Sequence, residues 1–247
     1  MKTPTGDSPP GDARIESLDD ISGMSGSLSQ RVYTGLRNAI LDLRLPPGSV
    51  LRKAALCQQL GVSRSPVAEA ITLLSAEGLV DVIPQSATRV ARFSLSEIRE
   101  ESFLREAIEV AAVSRVASAR SEDQLAQLSR NVHLQRLLVA DRDFHGFFDV
   151  DEEFHALLLA FTGYRKVAEV AAQIALQVRR ARILLLPEDG RPEATVAEHE
   201  AILEAIRDRD PIAAADAMRA HLAQLISRIE PLETTHPSYF RAARAVL

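Results

Sequence analysis

The chain has 247 residues, 46% hydrophobic and 26% charged, enough for one large domain or two small ones with an ordinary core. Its 29 Lys and Arg against 34 Asp and Glu give a net charge of −5, which taken as a total argues against a nucleic-acid partner. The lone Cys57 permits neither an intrachain disulfide nor a cysteine-built zinc site, no apolar run approaches the ~20 residues that span a bilayer, and without Trp a platform for single-stranded bases is excluded.

In chain order, residues 1–27 are rich in Gly, Ser, Pro and Asp, show no period and lack the order of a signal peptide; they are expected to be a disordered tail. The expected setting is soluble, reduced and cytoplasmic, with no membrane partner. Leu28, Val32, Leu36, Ile40 and Leu43 recur at helical spacing and predict a helix over 28–43, stopped by Pro46-Pro47-Gly48. A short helix near 53–60, a turn at Gly61 and a helix over about 64–76 follow. Strands are expected at 79–83 and 88–93, joined by Pro84-Gln85-Ser86-Ala87. After Phe93 strand signals vanish. Capping boxes at Ser94–Glu97 and Ser121–Gln124 open a run rich in Ala, Leu, Glu and Arg, read as about six helices. The fold class is therefore mainly α: a small α+β winged helix-turn-helix over 28–93, an all-α bundle over 94–232, and a tail over 233–247.

Splitting the charge by region changes its meaning. Residues 28–93 carry 8 basic and 4 acidic side chains, a net +4, while residues 94–247 are net −6 and the first 27 are net −3. In the basic part, Leu56 and Leu60 give one helix an apolar edge, Gly61 allows the tight turn and Ser63 can cap the next helix. Val67, Ile71 and Leu74 bury one face of that helix, so Arg64, Ser65 and Ala68 point outward from its N-terminal half. A recognition helix enters the major groove in this way, and the strands behind it form a wing carrying Arg89. Helical hairpins with a Gly turn also occur in enzymes, and Arg64 as a solvated surface charge is the plainer alternative.

The stretch from Leu28 to Val90 resembles the winged helix-turn-helix of the GntR family of bacterial transcription regulators. The likeness is carried by Leu36-Arg37-Asn38-Ala39-Ile40-Leu41, Leu45-Pro46-Pro47-Gly48-Ser49-Val50-Leu51, Gly61-Val62-Ser63-Arg64-Ser65-Pro66-Val67 and Glu77-Gly78-Leu79-Val80. The resemblance implies that Ser63, Arg64 and Ser65 contact double-stranded operator DNA from the recognition helix and Arg89 from the wing. Ala68 stands where the family usually has Arg, and Ala87 where its wing usually has Gly, so the operator sequence is expected to differ.

Further on, Asp151 and His155 are four residues apart and share a helix face, and His199 and His221 fall on two later helices. One carboxylate and three imidazoles suit a divalent transition metal such as Zn, Ni or Mn; an ordinary Asp–His surface pair is the plainer alternative. A helical-bundle metalloenzyme is a further reading, because Glu152 and His155 form a Glu-x-x-His. However, neither His199 nor His221 has Glu three residues earlier, and no motif marks a catalytic base. Residues 97–225 resemble the FCD ligand-binding domain of the FadR-type branch of the same family. The matching pieces are Leu104-Arg105-Glu106-Ala107-Ile108-Glu109, Asp151-Glu152-Glu153-Phe154-His155, Glu198-His199-Glu200-Ala201-Ile202-Leu203 and Met218-Arg219-Ala220-His221-Leu222. That likeness implies a metal held by Asp151, His155, His199 and His221, and an Arg105 that meets the carboxylate of a small effector. It implies a homodimeric, ligand-responsive regulator rather than an enzyme. Tyr164 departs from the Asn frequent in the family. His133, His145 and His236 are expected on the surface, Cys57 is expected to be buried, and Arg179, Arg180 and Arg182 form a cluster whose plain reading is a solvated face.

Overall fold

The third helix of the first unit runs thirteen residues from Arg64 to Ala76, between Ser63 at its N-cap position and the positive-φ Gly78 just beyond its end. The computed structural model describes residues 18–174, 176–185 and 190–241. The chain divides into two units: residues up to 95 together with those from 231 on, and residues 96–230.

In the first unit, α1 (Leu28–Leu41), α2 (Lys53–Leu60) and α3 (Arg64–Ala76) precede a two-stranded antiparallel sheet of β1 (Val80–Val82) and β2 (Thr88–Val90). Ser27 and Gln30 close a capping box at the start of α1, which the apolar period had not revealed. The helix stops at Leu41, two residues short of expectation, because Leu43 turns left-handed at φ 55°. The pattern places Val32, Leu36 and Ile40 of α1 and Val67, Ile71 and Leu74 of α3 in one core, all buried. Gly61 ends α2 at φ 63°, a conformation cheap only for a residue without Cβ. The strands pair Val80 with Val90 and Val82 with Thr88, and they are shorter than expected. Residues 48–51 extend the sheet, with Leu51 N–H donating to Thr88 O and Val90 N–H to Ser49 O.

Both ends of this unit differ from the expected tails. Within 18–27, Ile21 is buried and packs so closely on Gly35 that a Cβ there would lie 2.9 Å from it, and Asp19 pairs with Arg44. Beyond residue 232, the chain continues as helix to Thr235, makes a 3-10 turn at Pro237–Tyr239, and buries Phe240 against Phe93 at 5.5 Å between ring centres. Apolar side chains at Ile21 and Phe240 were too isolated in sequence to reveal either docking. The expectations for residues 1–17 and 242–247 lie outside the described residues.

The second unit is built from α4 (Leu95–Ala119), α5 (Glu122–Ala140), α6 (Phe144–Phe161), α7 (Arg165–Ile174), α8 (Leu176–Leu185), α9 (Arg191–Arg207) and α10 (Pro211–Thr235), the last turns of which belong to the first unit. Among the described residues seven helical segments stand where about six were expected, with α7 and α8 both in the stretch after Gly163 (φ 75°). The Ser121–Gln124 capping box forms as the spacing implied. Val113 and Val116 of α4, Leu128 and Val132 of α5, Phe154 and Leu158 of α6, Ile202 and Ile206 of α9 and Met218 of α10 make its core. No helix among the described residues is long and apolar enough to cross a membrane.

Candidate metal centre and DNA-facing helix

Phe154 ties the core of the second unit to a cluster of imidazoles, since its ring stacks on His199 at 4.3 Å. His155 on α6, His199 on α9 and His221 on α10 converge there, each offering a ring nitrogen within 4.8 Å of the others, and all three are buried. Helical spacing brings Asp151 to the same face of α6 as His155. Its Oδ1 lies 3.7 Å from His199 Nε2. The structure thus gathers the four residues singled out by spacing.

Each imidazole is oriented by a partner at Nδ1. His155 Nδ1 lies 2.6 Å from Glu109 Oε2, His221 Nδ1 lies 2.6 Å from Glu198 Oε2, and His199 Nδ1 lies 2.8 Å from Gln135 Oε1. The amide is itself fixed: Gln135 Nε2 donates to Asn131 Oδ1, and Asn131 Nδ2 donates to Val150 O. A chain of donors anchored on a backbone carbonyl therefore presents an acceptor to His199, so its proton sits on Nδ1 and its Nε2 lone pair faces inward. Histidines that ligate metals are held by this arrangement.

The electrostatics agree. Burial first, then the neighbouring His221, His155 and Arg182, hold His199 well below the ordinary imidazole value. Burial first, then His155 and Arg105, do the same for His221. Burial alone would raise the Glu109 carboxyl, but Arg105 and His155 outweigh it and hold it well below the usual carboxylate range. Glu109 is thus an acceptor that Arg105 and His155 share, with Arg105 Nε 2.5 Å from its Oε1.

Two inward atoms lack what burial demands. His199 Nε2 and Asp151 Oδ1 are buried without a hydrogen-bond partner, while Asp151 Oδ2 is ion-paired with Arg182. The Nε2 atoms of His155 and His221 face each other at 3.3 Å. A buried polar atom left unmatched costs about 1–3 kcal/mol, and a cation shared by imidazole nitrogens and a carboxylate answers all of them. The donor set, three nitrogens and one oxygen, fits a divalent transition metal.

Beside the cluster, Arg105, Arg182, Arg191 and Arg228 line a cavity that also reaches Asp151, Thr195 and His221. Arg191 pairs with Glu198 at 2.7 Å, so two of the His–carboxylate pairs are backed by guanidiniums from the cavity wall. The arginines of α8 are not a solvated face. Arg180 is fully buried with Nη1 donating to Gln177 Oε1, and Arg179 and Arg182 lie over the Phe148 ring at 5.0 and 5.2 Å.

Sequence reasoning missed the outer partners Glu109, Gln135 and Glu198 as functional groups. Two carried a signal, since Arg105 and Glu109, like Asn131 and Gln135, are four residues apart on one helix face. Glu198 carried none: it precedes His199 but serves His221, 23 residues on. His133, His145 and His236 are exposed, as expected. Cys57 is half-buried rather than buried, its Sγ 3.5 Å from Ser63 O.

In the first unit, Ser63, Arg64 and Ser65 are exposed at the N-terminus of α3, with Ala68 exposed one turn on. Ser63 occupies the N-cap position, but its side chain makes no capping bond, which leaves both hydroxyl and first-turn N–H groups presented outward. Ser65 donates to Glu69 Oε1, and Ser29 of α1 donates to the other oxygen of the same carboxylate. These bonds hold Glu69 below the usual carboxylate range. Arg89 is half-buried in β2 rather than at the hairpin tip, and its Nη1 donates to Gly48 O at 3.3 Å.

Comparison with known proteins places both halves. Residues 28–90 match bacterial regulatory proteins of the gntR family, and residues 102–224 match the FCD domain. The chain is 30% identical over 213 residues to the HTH-type transcriptional repressor RspR of Escherichia coli K12, covering 86% of this chain and 93% of that protein. It is 34% identical over 216 residues to an uncharacterised HTH-type transcriptional regulator from an unstable DNA locus of Streptomyces ambofaciens, covering 87% and 91%. Among solved structures, E. coli McbR/YncC has a TM-score of 0.70 at 20% identity, covering 84% of this chain and 99% of that one, which speaks to fold.

Proposed function

The chain belongs to the GntR family of bacterial transcriptional regulators, with an FCD domain behind its helix-turn-helix, and from that premise we propose that it binds operator DNA as a homodimer under control of a metal-assisted organic-acid effector. Family membership makes it a regulator and removes the metalloenzyme alternative. The observation that carries the metal reading is the set of three buried histidines whose Nδ1 atoms are all occupied, together with the unmatched Nε2 of His199 and the unmatched Oδ1 of Asp151. Asp151, His155, His199 and His221 would hold the ion. A bound divalent cation supplies positive charge for the buried Asp151 and open positions for a ligand oxygen.

The chain's own residues supply the rest. Glu109, Gln135 and Glu198 orient the rings, and Arg105 and Arg182, on the cavity wall, offer bidentate donors to a carboxylate. At the DNA, the exposed Ser63-Arg64-Ser65 at a helix N-terminus suits phosphate and base contacts, and Arg89 supports the wing from its bond to Gly48. Two copies would read the half-sites of a palindrome, since protein symmetry maps onto operator symmetry. An effector that favours one arrangement shifts DNA affinity by its differential binding, typically about 1–3 kcal/mol.

Fluorescence anisotropy with DNA from upstream of the protein's own gene, across a salt series, tests this. Specific binding with steep salt dependence is expected, and Arg64→Ala should weaken specific binding by about 1–3 kcal/mol while sparing most nonspecific binding. Absence of specific binding at any salt concentration refutes it.

A further inference from the structure

Helix α7 is amphipathic, and its apolar side is no more than half-buried. Val167, Ala168, Val170 and Ala171 recur at helical spacing opposite Arg165, Lys166 and Glu169, and none of these apolar side chains is fully buried. Beneath it lies a cavity of about 210 Å³, bounded by α4, α6, α7 and α8. Most of its lining surface is apolar, from Ile108, Ala156, Leu159, Ala168, Ala171 and Val178. Its polar lining is Arg105, Arg179 and Arg182 with Glu109, Glu152 and His155, and each arginine is ion-paired, Arg105 with Glu109, Arg179 with Glu152 and Arg182 with Asp151. Arg105 and Arg182 are also in the wall of the smaller arginine-rich cavity that touches Asp151 and His221. The two arginines therefore stand between a polar chamber at the histidine cluster and an apolar chamber under α7.

We propose that this second chamber takes the apolar tail of the effector, which makes the effector a carboxylate with a compact hydrocarbon end of about six carbons. The inference rests on the carboxylate reading of the effector site given above and specifies its chemical class. Two arguments set the class. The apolar lining offers a sugar acid no partner for its hydroxyls, and each hydroxyl buried there would lose its water without replacement. The volume sets the size, because a cavity of about 150 Å³ accommodates a benzene ring. A tail of this kind would also cover the apolar face of α7.

Isothermal titration of the full-length protein with hexanoate, acetate and gluconate tests the proposal. Each methylene withdrawn from water is worth about fourfold in affinity, so even a partly open chamber should favour hexanoate over acetate by about ten- to a hundredfold. Ala171→Leu, which adds volume at a half-buried position on the chamber wall, should weaken hexanoate at least tenfold and leave acetate unchanged, with an unaltered melting midpoint showing that it folds. Equal affinity for hexanoate and acetate, tighter binding of gluconate, or hexanoate binding indifferent to Ala171→Leu would overturn the proposal and leave the carboxylate reading intact. Failure of all three acids to bind would overturn both.

Discussion

Glu109 shows how much one side chain is asked to do. It is buried, it accepts from His155 Nδ1 at 2.6 Å and from Arg105 at 2.5 Å, and it sits in the wall of the chamber under α7. A carboxylate opposite Nδ1 fixes the ring and keeps Nε2 available, and loss of such an outer partner typically costs about 10–100-fold in metal affinity. Glu109→Gln keeps the shape and can still accept a hydrogen bond, but it removes the charge. Competition against a chelating dye should show metal affinity lowered by about tenfold or more in this variant. Unchanged affinity would mean that His155 is not held for a metal. The sequence made Asp151 and His155 visible because helical periodicity fixes their relation. It could not join Glu198 to His221, because that contact depends on how α9 packs against α10.

At the scale of an element, α8 is the informative case. It brings three arginines to the interior, and Glu101 of α4 caps its start, accepting from Gln177 N–H at 3.0 Å and Val178 N–H at 3.1 Å. Burial pushes the Glu101 carboxyl up to about 7, against the opposing pull of those two bonds. A carboxyl raised in the folded state favours folding most at low pH and loses that contribution as pH rises from its ordinary value through about 7. Glu101→Gln mimics the protonated form. The melting midpoint of the natural protein relative to this variant should therefore fall between pH 5.5 and pH 8, and a constant difference would contradict the assignment. No local pattern announces this cap, since donor and acceptor lie 76 residues apart. By contrast, the turn at Gly61 and the buried faces of α1 and α3 were readable, because each depends on residues within one or two helical turns.

For the whole molecule, net charge misleads until it is divided. The region 28–93 is net +4 and residues 94–247 are net −6, so the acidic total belongs to the helical part and not to the DNA-facing part. The two-part plan was legible from the change of pattern after Phe93, because strand alternation and helical periodicity are local properties. The docking of Ile21 and Phe240 was not, since a single apolar residue in a polar stretch has no period. Nor was the chamber under α7, which exists only because four helices leave space between them. The proposed regulator depends on an ion held by Asp151, His155, His199 and His221. Elemental analysis of the purified full-length protein and of His199→Ala, both dialysed against metal-free buffer, measures it most directly. About one divalent transition-metal ion per chain in the natural protein and its loss in the variant is the result predicted. Equal metal in the two proteins, or none in the natural one after exposure to zinc, nickel and manganese, would contradict the account.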